Sequence, residues 1–231
     1  MKAIIMAGGR GTRLSPLTDN KPKPLVKIID KPVLQHIIEL LAQHGITEIG
    51  LTLGYKAEAI MEAFGNGSAM GVNLTYFVER EPLGTAGSVR ACKDFIDGDV
   101  LVMSGDAYTN IDLTEAMQFH HKKRTIMTLI ATPLANPQGL GVLKIDHNNA
   151  IIAFEEKPTH AVQSLINCGI YILSPAALAM IPVGKYDFGR DLLPRLLNKA
   201  HAYVTYKYWS DIGTLQSYYY TNYLVAGTLQ H

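Results

Sequence analysis

Apolar runs and helical periodicities alternate through the first half of the chain. Residues 3–7 are continuously apolar and read as a buried strand. Residues 33–44 show helical periodicity after Pro32, and Gly45 suits the C-terminal stop of that helix. The same alternation repeats three times. It predicts strands over 48–53, 73–78 and 100–104, and helices over 56–64, 85–94 and 113–122. Strand–helix alternation of this kind implies right-handed crossovers and a mostly parallel sheet.

The pattern changes near residue 125. Close-spaced strands are predicted over 126–132, 141–145, 151–154 and 166–173, with turn chemistry such as His147-Asn148-Asn149 between them. This half reads as mixed or antiparallel. Helices are expected over 189–197 and 215–225. No repeat, linker or low-complexity tract divides the chain. The expected fold is α/β: a Rossmann-like, mostly parallel mixed sheet flanked by helices, with a more β-rich second half. One domain is expected over 1–231, with a nucleotide-type half over about 1–125 and a second half over about 126–231.

Composition narrows the function classes. The 231 residues are 48% hydrophobic and 18% charged, which is a globular balance. About 72% of the extended chain's surface can be buried at this length. A net charge of +1 gives no global field for nucleic acid or a membrane surface, so neither partner is expected. A small anionic ligand needs only local charge. Cys92 and Cys168 lack metal-ligand spacing and do not suggest a secreted disulfide framework. No run approaches the roughly 18 apolar residues of a membrane span. The apolar start is too short for a signal peptide and is broken by Gly8-Gly9-Arg10, so a cytoplasmic location is expected. The eight histidines are scattered, and His120-His121 reads as an exposed helix end.

The strongest local signal is Gly8-Gly9-Arg10-Gly11-Thr12-Arg13-Leu14, directly after the first strand. Glycines there let backbone N–H groups approach an anion. The loop is no P-loop, because no Gly-Lys-Ser/Thr follows, and Leu14 stands where a dinucleotide fingerprint needs its third glycine. Taken alone, the glycines equally describe a tight turn. Arg10, Arg13, Lys21 and Lys23 add positive charge to one short stretch of a nearly neutral chain. Pro22 and Pro24 hold the backbone around Lys23 extended and stiff. A stiff cationic loop suits a polyphosphate.

This loop, with Pro16-Leu17-Thr18 and Lys21-Pro22-Lys23-Pro24, resembles the signature of the sugar-phosphate nucleotidyltransferases. Glu81-Pro82-Leu83-Gly84-Thr85-Ala86-Gly87, Ser104-Gly105-Asp106, Phe154-Glu155-Glu156-Lys157-Pro158, Asn167-Cys168-Gly169-Ile170-Tyr171 and Tyr208-Trp209-Ser210-Asp211-Ile212-Gly213 extend the resemblance in family order. It is strongest to the nucleotidyltransferase domain of mannose-1-phosphate guanylyltransferases. The resemblance implies that a sugar 1-phosphate attacks the α-phosphorus of a nucleoside triphosphate and that pyrophosphate leaves. The attacking phosphate is already anionic, so no general base is needed.

By the same resemblance, Arg13, Lys23 and Asp106 are catalytic, and Asp106 and Asp211 hold Mg²⁺. Gly8, Gly9, Gly11, Thr12, Arg13, Glu79, Gly84 and Thr85 bind the nucleotide. Thr85 is also a candidate cap for the helix after it. Gly141, Glu156, Lys157 and Asn167 bind the sugar phosphate. Glu79 and Glu81 occupy a region where the family commonly carries glutamine, and either is a candidate reader of the base. A carboxylate only accepts hydrogen bonds, which suits guanine's N1–H and N2–H₂ and favours GTP. Leu140 stands where an aromatic residue is common before the glycine, which leaves the sugar open. Mannose 1-phosphate with GTP is the first choice, heptose 1-phosphate with GTP the second, and glucose 1-phosphate with UTP or dTTP the runner-up. Rival classes are an inactive regulatory subunit on the same fold and a glycosyltransferase; the latter usually carries an Asp-x-Asp triplet that Gly105-Asp106-Ala107 lacks. Assembly as a homo-oligomer stays open, as does the choice between a minimal enzyme and a fragment.

Overall fold

The computed structural model describes residues 1–160 and 162–228. The first half supplies β1 (Lys2–Met6), β2 (Lys27–Ile28), β3 (Lys31–Pro32), α1 (Val33–Gln43), β4 (Glu48–Leu53), α2 (Ala57–Phe64), β5 (Asn73–Val78), α3 (Gly84–Ala91), β6 (Val100–Ser104), β7 (Tyr108–Thr109) and α4 (Leu113–Lys123). The second supplies β8 (Met127–Leu134), β9 (Val142–Ile145), β10 (Ile151–Glu155), β11 (Ser164–Leu173), α5 (Pro175–Ala179), β12 (His201–Val204), β13 (Trp209–Ser210) and α6 (Leu215–Thr228).

Strands β5, β4, β1 and β6 lie side by side and run parallel. The long strand β11 then pairs antiparallel with β6 through Ile170–Leu173 and with β9 at Leu165 and Ile166, while β8 follows its other edge. β12 pairs parallel with β8, and β10 closes the sheet on β9. Side chains alternate between two cores: Ile5 joins one and its neighbour Ile4 the other, both fully buried. On one face pack Ile37 of α1 and Ile60 of α2; on the other, Val89 of α3, Leu178 of α5 and Phe188. The α/β architecture is therefore the one expected, with a mixed sheet flanked by helices.

Four expectations are corrected. The backbone expected to be extended at Lys23 instead forms a short 3₁₀ turn, Lys23–Leu25, entered from the extended Pro22. The helix expected over 189–197 is one wide turn, Phe188–Leu192, followed by a short 3₁₀ turn, Leu193–Arg195. Pro194 supplies no N–H, so the helix does not continue. The helix expected over 85–94 ends at Ala91, and a separate 3₁₀ turn spans Lys93–Phe95. His120 is not exposed: it falls on the face of α4 that buries Leu113 and Ala116, and only 3% of it meets solvent. β12 was not expected at all.

Candidate active site

Ligand crevices of open α/β sheets form beyond the carboxyl ends of parallel strands. The exits of β1, β4, β5 and β6 adjoin here. Gly8, leaving β1, backs onto Gly54, leaving β4. The Tyr55 N–H donates to the Gly8 carbonyl at 3.3 Å, and a Cβ on Gly54 would stand 3.0 Å from that oxygen. Gly11 is left-handed at φ +65°, and a Cβ there would lie 2.7 Å from the Cβ of Lys23. Glycine is thus what allows the lysine stem to pack under the loop.

Lys23 is 5% exposed, and its Nζ donates to Asp106 Oδ2 at 2.8 Å. Asp106 leaves the end of β6, where the Gly105 N–H donates to the Met6 carbonyl at 2.8 Å and draws the exits of β1 and β6 together. The Ser104 hydroxyl donates to Asp106 Oδ1. The Asp106 side chain is 39% exposed against 6% for Lys23, so the carboxylate faces the crevice and the ammonium is enclosed. Burial pushes the Asp106 carboxyl up. The Lys23 ammonium, the hydrogen bonds from Lys23 and Ser104, and the charge of Arg13 outweigh burial and hold it below the usual carboxylate range.

Asp211 follows β13. Burial is the main cause raising its carboxyl, and the negative charge of Asp106 adds to it, against Lys23, Arg13 and Lys157. Its Oδ1 accepts the Gly213 N–H at 3.0 Å, while Oδ2 has no partner among the described residues. Two carboxylates that face one space and repel each other's ionisation mark a place that favours added positive charge.

Two lobes open from this point and share Ser104 and Asp106. One, with about 750 Å³ of open space, is walled by Gly8, Gly9, Glu79, Gly84, Thr85 and Asp187 among others. The second, with about 630 Å³, is walled by Arg13, Gly141, Glu156, Lys157, Asn167, Trp209 and Asp211 among others. The structure therefore sorts most of the expected residues into two groups; Gly11 and the Lys23 stem packed under it line neither lobe. Thr12 is exposed and lines neither lobe. Glu79 lines the first lobe, where burial raises its carboxyl and the Leu83 N–H partly offsets this. Glu81 is exposed and lines only neighbouring grooves. Thr85 does not cap α3: it lies inside the first turn, and its N–H and hydroxyl both donate to Asp187 Oδ1, at 3.2 and 3.1 Å.

The second lobe is made by strand ends and irregular backbone. Glu156 and Lys157 follow β10, and Lys157 takes φ +54°, a left-handed conformation rarely held by a side-chain-bearing residue. The Glu156 carboxylate fits between two glycines: a Cβ on Gly141 would stand 3.0 Å from Oε2, and one on Gly189 2.5 Å. Asn167 sits where the pairing of β11 with β8 slips, and Gly169 is left-handed at φ +68°. Its Nδ2 donates to Tyr171 Oη at 2.7 Å, and its Oδ1 accepts the Gly169 N–H at 2.9 Å. Sequence reasoning missed Ser104, Trp209 and Asp187 as lining residues. The sole tryptophan, beside Asp211, and the serine before Gly105-Asp106 lay within the quoted motifs; Asp187 carried no local signal.

Parallel-strand exits, a glycine turn, an enclosed lysine on an aspartate and a second lobe beyond it define an α/β protein with a two-lobed crevice at the carboxyl end of its sheet. The nucleotidyl transferase family model matches residues 2–227, and the chain belongs to that family. It is 36% identical over 241 residues to the UTP–glucose-1-phosphate uridylyltransferase of Synechocystis sp., covering 95% of this chain and 62% of that protein. It is 32% identical to the mannose-1-phosphate guanylyltransferase of Mycobacterium tuberculosis, covering 94% of this chain and 62% of that one. The chain thus spans about 62% of the length of these curated relatives. Its fold matches the crystal structure of HddC from Yersinia pseudotuberculosis complexed with GMP-PN, with a TM-score of 0.85 and 30% identity over 97% of this chain and 99% of that one.

Proposed function

We propose that this chain joins a nucleoside triphosphate to a sugar 1-phosphate, giving a nucleoside diphosphate sugar and pyrophosphate. The observation that carries this reading is the Lys23–Asp106 pair at the meeting point of two lobes. In-line displacement at the α-phosphorus needs its two reactants on opposite sides of one charged centre. A phosphate oxygen of the sugar 1-phosphate forms the new P–O bond, and the bond to the bridging oxygen of pyrophosphate breaks.

In this reading Gly8, Gly9 and Gly84 bring backbone against the nucleotide. Lys23 neutralises charge at the α-phosphate, and Arg13, which makes no hydrogen bond or ion pair among the described residues and lines the second lobe, takes the leaving phosphates from that side. Lys157 binds the sugar's phosphate, and Glu156 and Asn167 bind its hydroxyls. The two lobes thus take one substrate each; the halves over about 1–125 and 126–231 supply most of the first and second lobe respectively, with Arg13 and Asp106 crossing to the second and Asp187 to the first. The donor set fits a hard divalent cation: two carboxylates, one with an unpartnered oxygen, facing one space. Asp106 and Asp211 would hold Mg²⁺, which when bound supplies charge neutralisation between two phosphate groups. A soluble cytoplasmic enzyme fits these substrates, and no helix among the described residues is long and apolar enough to cross a membrane.

GTP with mannose 1-phosphate is the favoured pair. Glu79 offers only acceptors to the base lobe, a mannose-1-phosphate guanylyltransferase is among the relatives, and the similar HddC structure carries GMP-PN. The Synechocystis relative supports a second reading, UTP with glucose 1-phosphate. Pyrophosphate release from a matrix of five nucleotides against mannose, heptose and glucose 1-phosphates tests both. GTP with mannose or heptose 1-phosphate is expected to react fastest. A preference for UTP or dTTP overturns the base reading. No release with any pair overturns the reaction and leaves an inactive regulatory subunit.

A further inference from the structure

Building on the proposed reaction, we infer that residues 184–189 form a strap coupling the two lobes, with Asp187 and Phe188 as its positioning residues. The first N–H groups of a helix lack intrahelical partners, and Leu83, which precedes α3, supplies no side-chain cap. The strap satisfies them from the other half of the chain. Thr85 N–H donates to Asp187 Oδ1, and the N–H groups of Ala86 and Gly87 both donate to the Tyr186 carbonyl at 2.9 Å. The Tyr186 N–H returns a bond to the Leu83 carbonyl at 2.9 Å, and the Phe188 N–H donates to the Thr85 hydroxyl at 2.9 Å. There is no slack: a Cβ on Gly84 would stand 2.7 Å from the Tyr186 carbonyl oxygen, and one on Gly87 2.3 Å from that of Gly184. The first turn of α3, which walls the nucleotide lobe, is therefore placed by the strap.

The strap's next residues place the second lobe. Phe188 is 1% exposed and stacks on Tyr171 with ring centroids 4.4 Å apart and planes 22° from parallel. The Tyr171 hydroxyl accepts the bond from Asn167 described above. Gly189 leaves the room that the Glu156 carboxylate fills, since a Cβ there would stand 2.5 Å from Oε2. Adjacent residues thus order Gly84 and Thr85 on one side and Asn167 and Glu156 on the other. Close-packed contacts transmit a shift rather than absorb it. A nucleotide that orders the first turn of α3 should then strengthen sugar 1-phosphate binding, and the sugar phosphate should strengthen nucleotide binding by the same factor.

Calorimetry on the full chain tests this, with Mg²⁺, mannose 1-phosphate and a GTP analogue whose α,β bridge is a methylene group. If the uridylyl pair turns over faster, the corresponding UTP analogue and glucose 1-phosphate replace them. In the wild type the analogue is expected to tighten sugar 1-phosphate binding on the order of tenfold. Phe188→Leu removes the stack, and Asp187→Ala removes the cap; each should cut that factor below about threefold. Asp187→Asn keeps an oxygen acceptor for Thr85 and should restore it. Tyr171→Phe keeps the stack and loses only the bond to Asn167, so it should fold and give an intermediate factor. A wild-type factor of one, or wild-type factors in both Phe188→Leu and Tyr171→Phe, overturns the strap while leaving the reaction standing. Failure of the wild type to bind either ligand overturns both.

Discussion

The two lobes differ in the charge that lines them. The first sets Gly8, Gly9 and Gly84, from strand exits and a helix start, beside side chains whose only charged groups are the carboxylates Glu79, Asp106 and Asp187. The second is walled by functional side chains, with Arg13, Glu156, Lys157, Asn167 and Asp211 converging from distant segments. The strain differs as well. In the first lobe the one left-handed lining position, Gly84, is a glycine, as are Gly139 and Gly169 in the second, and glycine adopts that conformation at little cost. In the second, Lys157 holds φ +54° with a full side chain, and Asn167 occupies an irregularity in β11. Strained or irregular positions tend to collect where side chains are aimed at a ligand.

The largest effects are expected where the lobes meet. Arg13→Ala and Lys23→Ala should each lower kcat by about 10²-fold or more, as expected for a charged transition-state contact worth roughly 3–4 kcal/mol. Asp106→Asn and Asp211→Asn should each abolish Mg²⁺-dependent turnover, as should excess EDTA on the wild type. Steady-state rates with thermal melts alongside check this, because Lys23→Ala also strips Asp106 of its buried partner. Full activity in EDTA, or near-normal turnover in both cation variants, would remove the meeting point from the chemistry.

The two lobes also differ in what the sequence reveals. The glycine turn is continuous along the chain, so Gly8-Gly9-x-Gly11 after an apolar run announced itself, and the parallel order of β1, β4, β5 and β6 followed from alternation. The second lobe is assembled by tertiary pairing. Glu156, Asn167 and Asp211 have no common local pattern and were assigned through the family's motifs. Asp187 was invisible, because its role depends on Thr85, far away in sequence. The buried position of His120 was missed because two adjacent histidines near a run of lysines look like a solvated helix end, while helical spacing from Leu113 and Ala116 turns the first of them inward. β12 follows no strong alternation and is held mainly by its edge pairing with β8.

Single changes within one lobe should have smaller, one-sided effects. Lys157→Ala is expected to raise the KM for sugar 1-phosphate by about tenfold, in line with a lost charged hydrogen bond, while the nucleotide KM moves little. A larger change in the nucleotide KM would mean that the lobes are assigned the wrong way round. Glu79→Gln should narrow the ratio of kcat/KM between GTP and UTP several-fold, because an amide can both donate and accept where the carboxylate only accepts. The identical change at Glu81, outside the lobe, should leave the ratio in place. Reversal of these two outcomes would move the base reader to the rim.

The smallest effect is expected outside both lobes and concerns stability. His120 Nδ1 lies 2.9 Å from Thr128 Oγ1, and its Nε2 lies 3.6 Å from Asp99. Burial is the main cause lowering its pKa, and the neighbouring His121 adds to it; Asp99 acts in the opposite direction without overcoming them. The folded pKa therefore lies below the unfolded value of about 6.5. Above that value both states are neutral, and the group contributes nothing to pH dependence. As pH falls through about 6.5, the unfolded chain takes up a proton that the folded chain refuses, so stability declines until pH reaches the folded pKa and is constant below it. Urea midpoints should therefore fall more between about pH 7 and pH 5 in the wild type than in His120→Gln, whose neutral amide can still hydrogen-bond Thr128. Turnover at pH 7.5 should be the same in both, since His120 lines neither lobe. Parallel midpoint curves would show that the buried ring is not excluding the proton, and a lost rate would tie this side of α4 to the reaction after all.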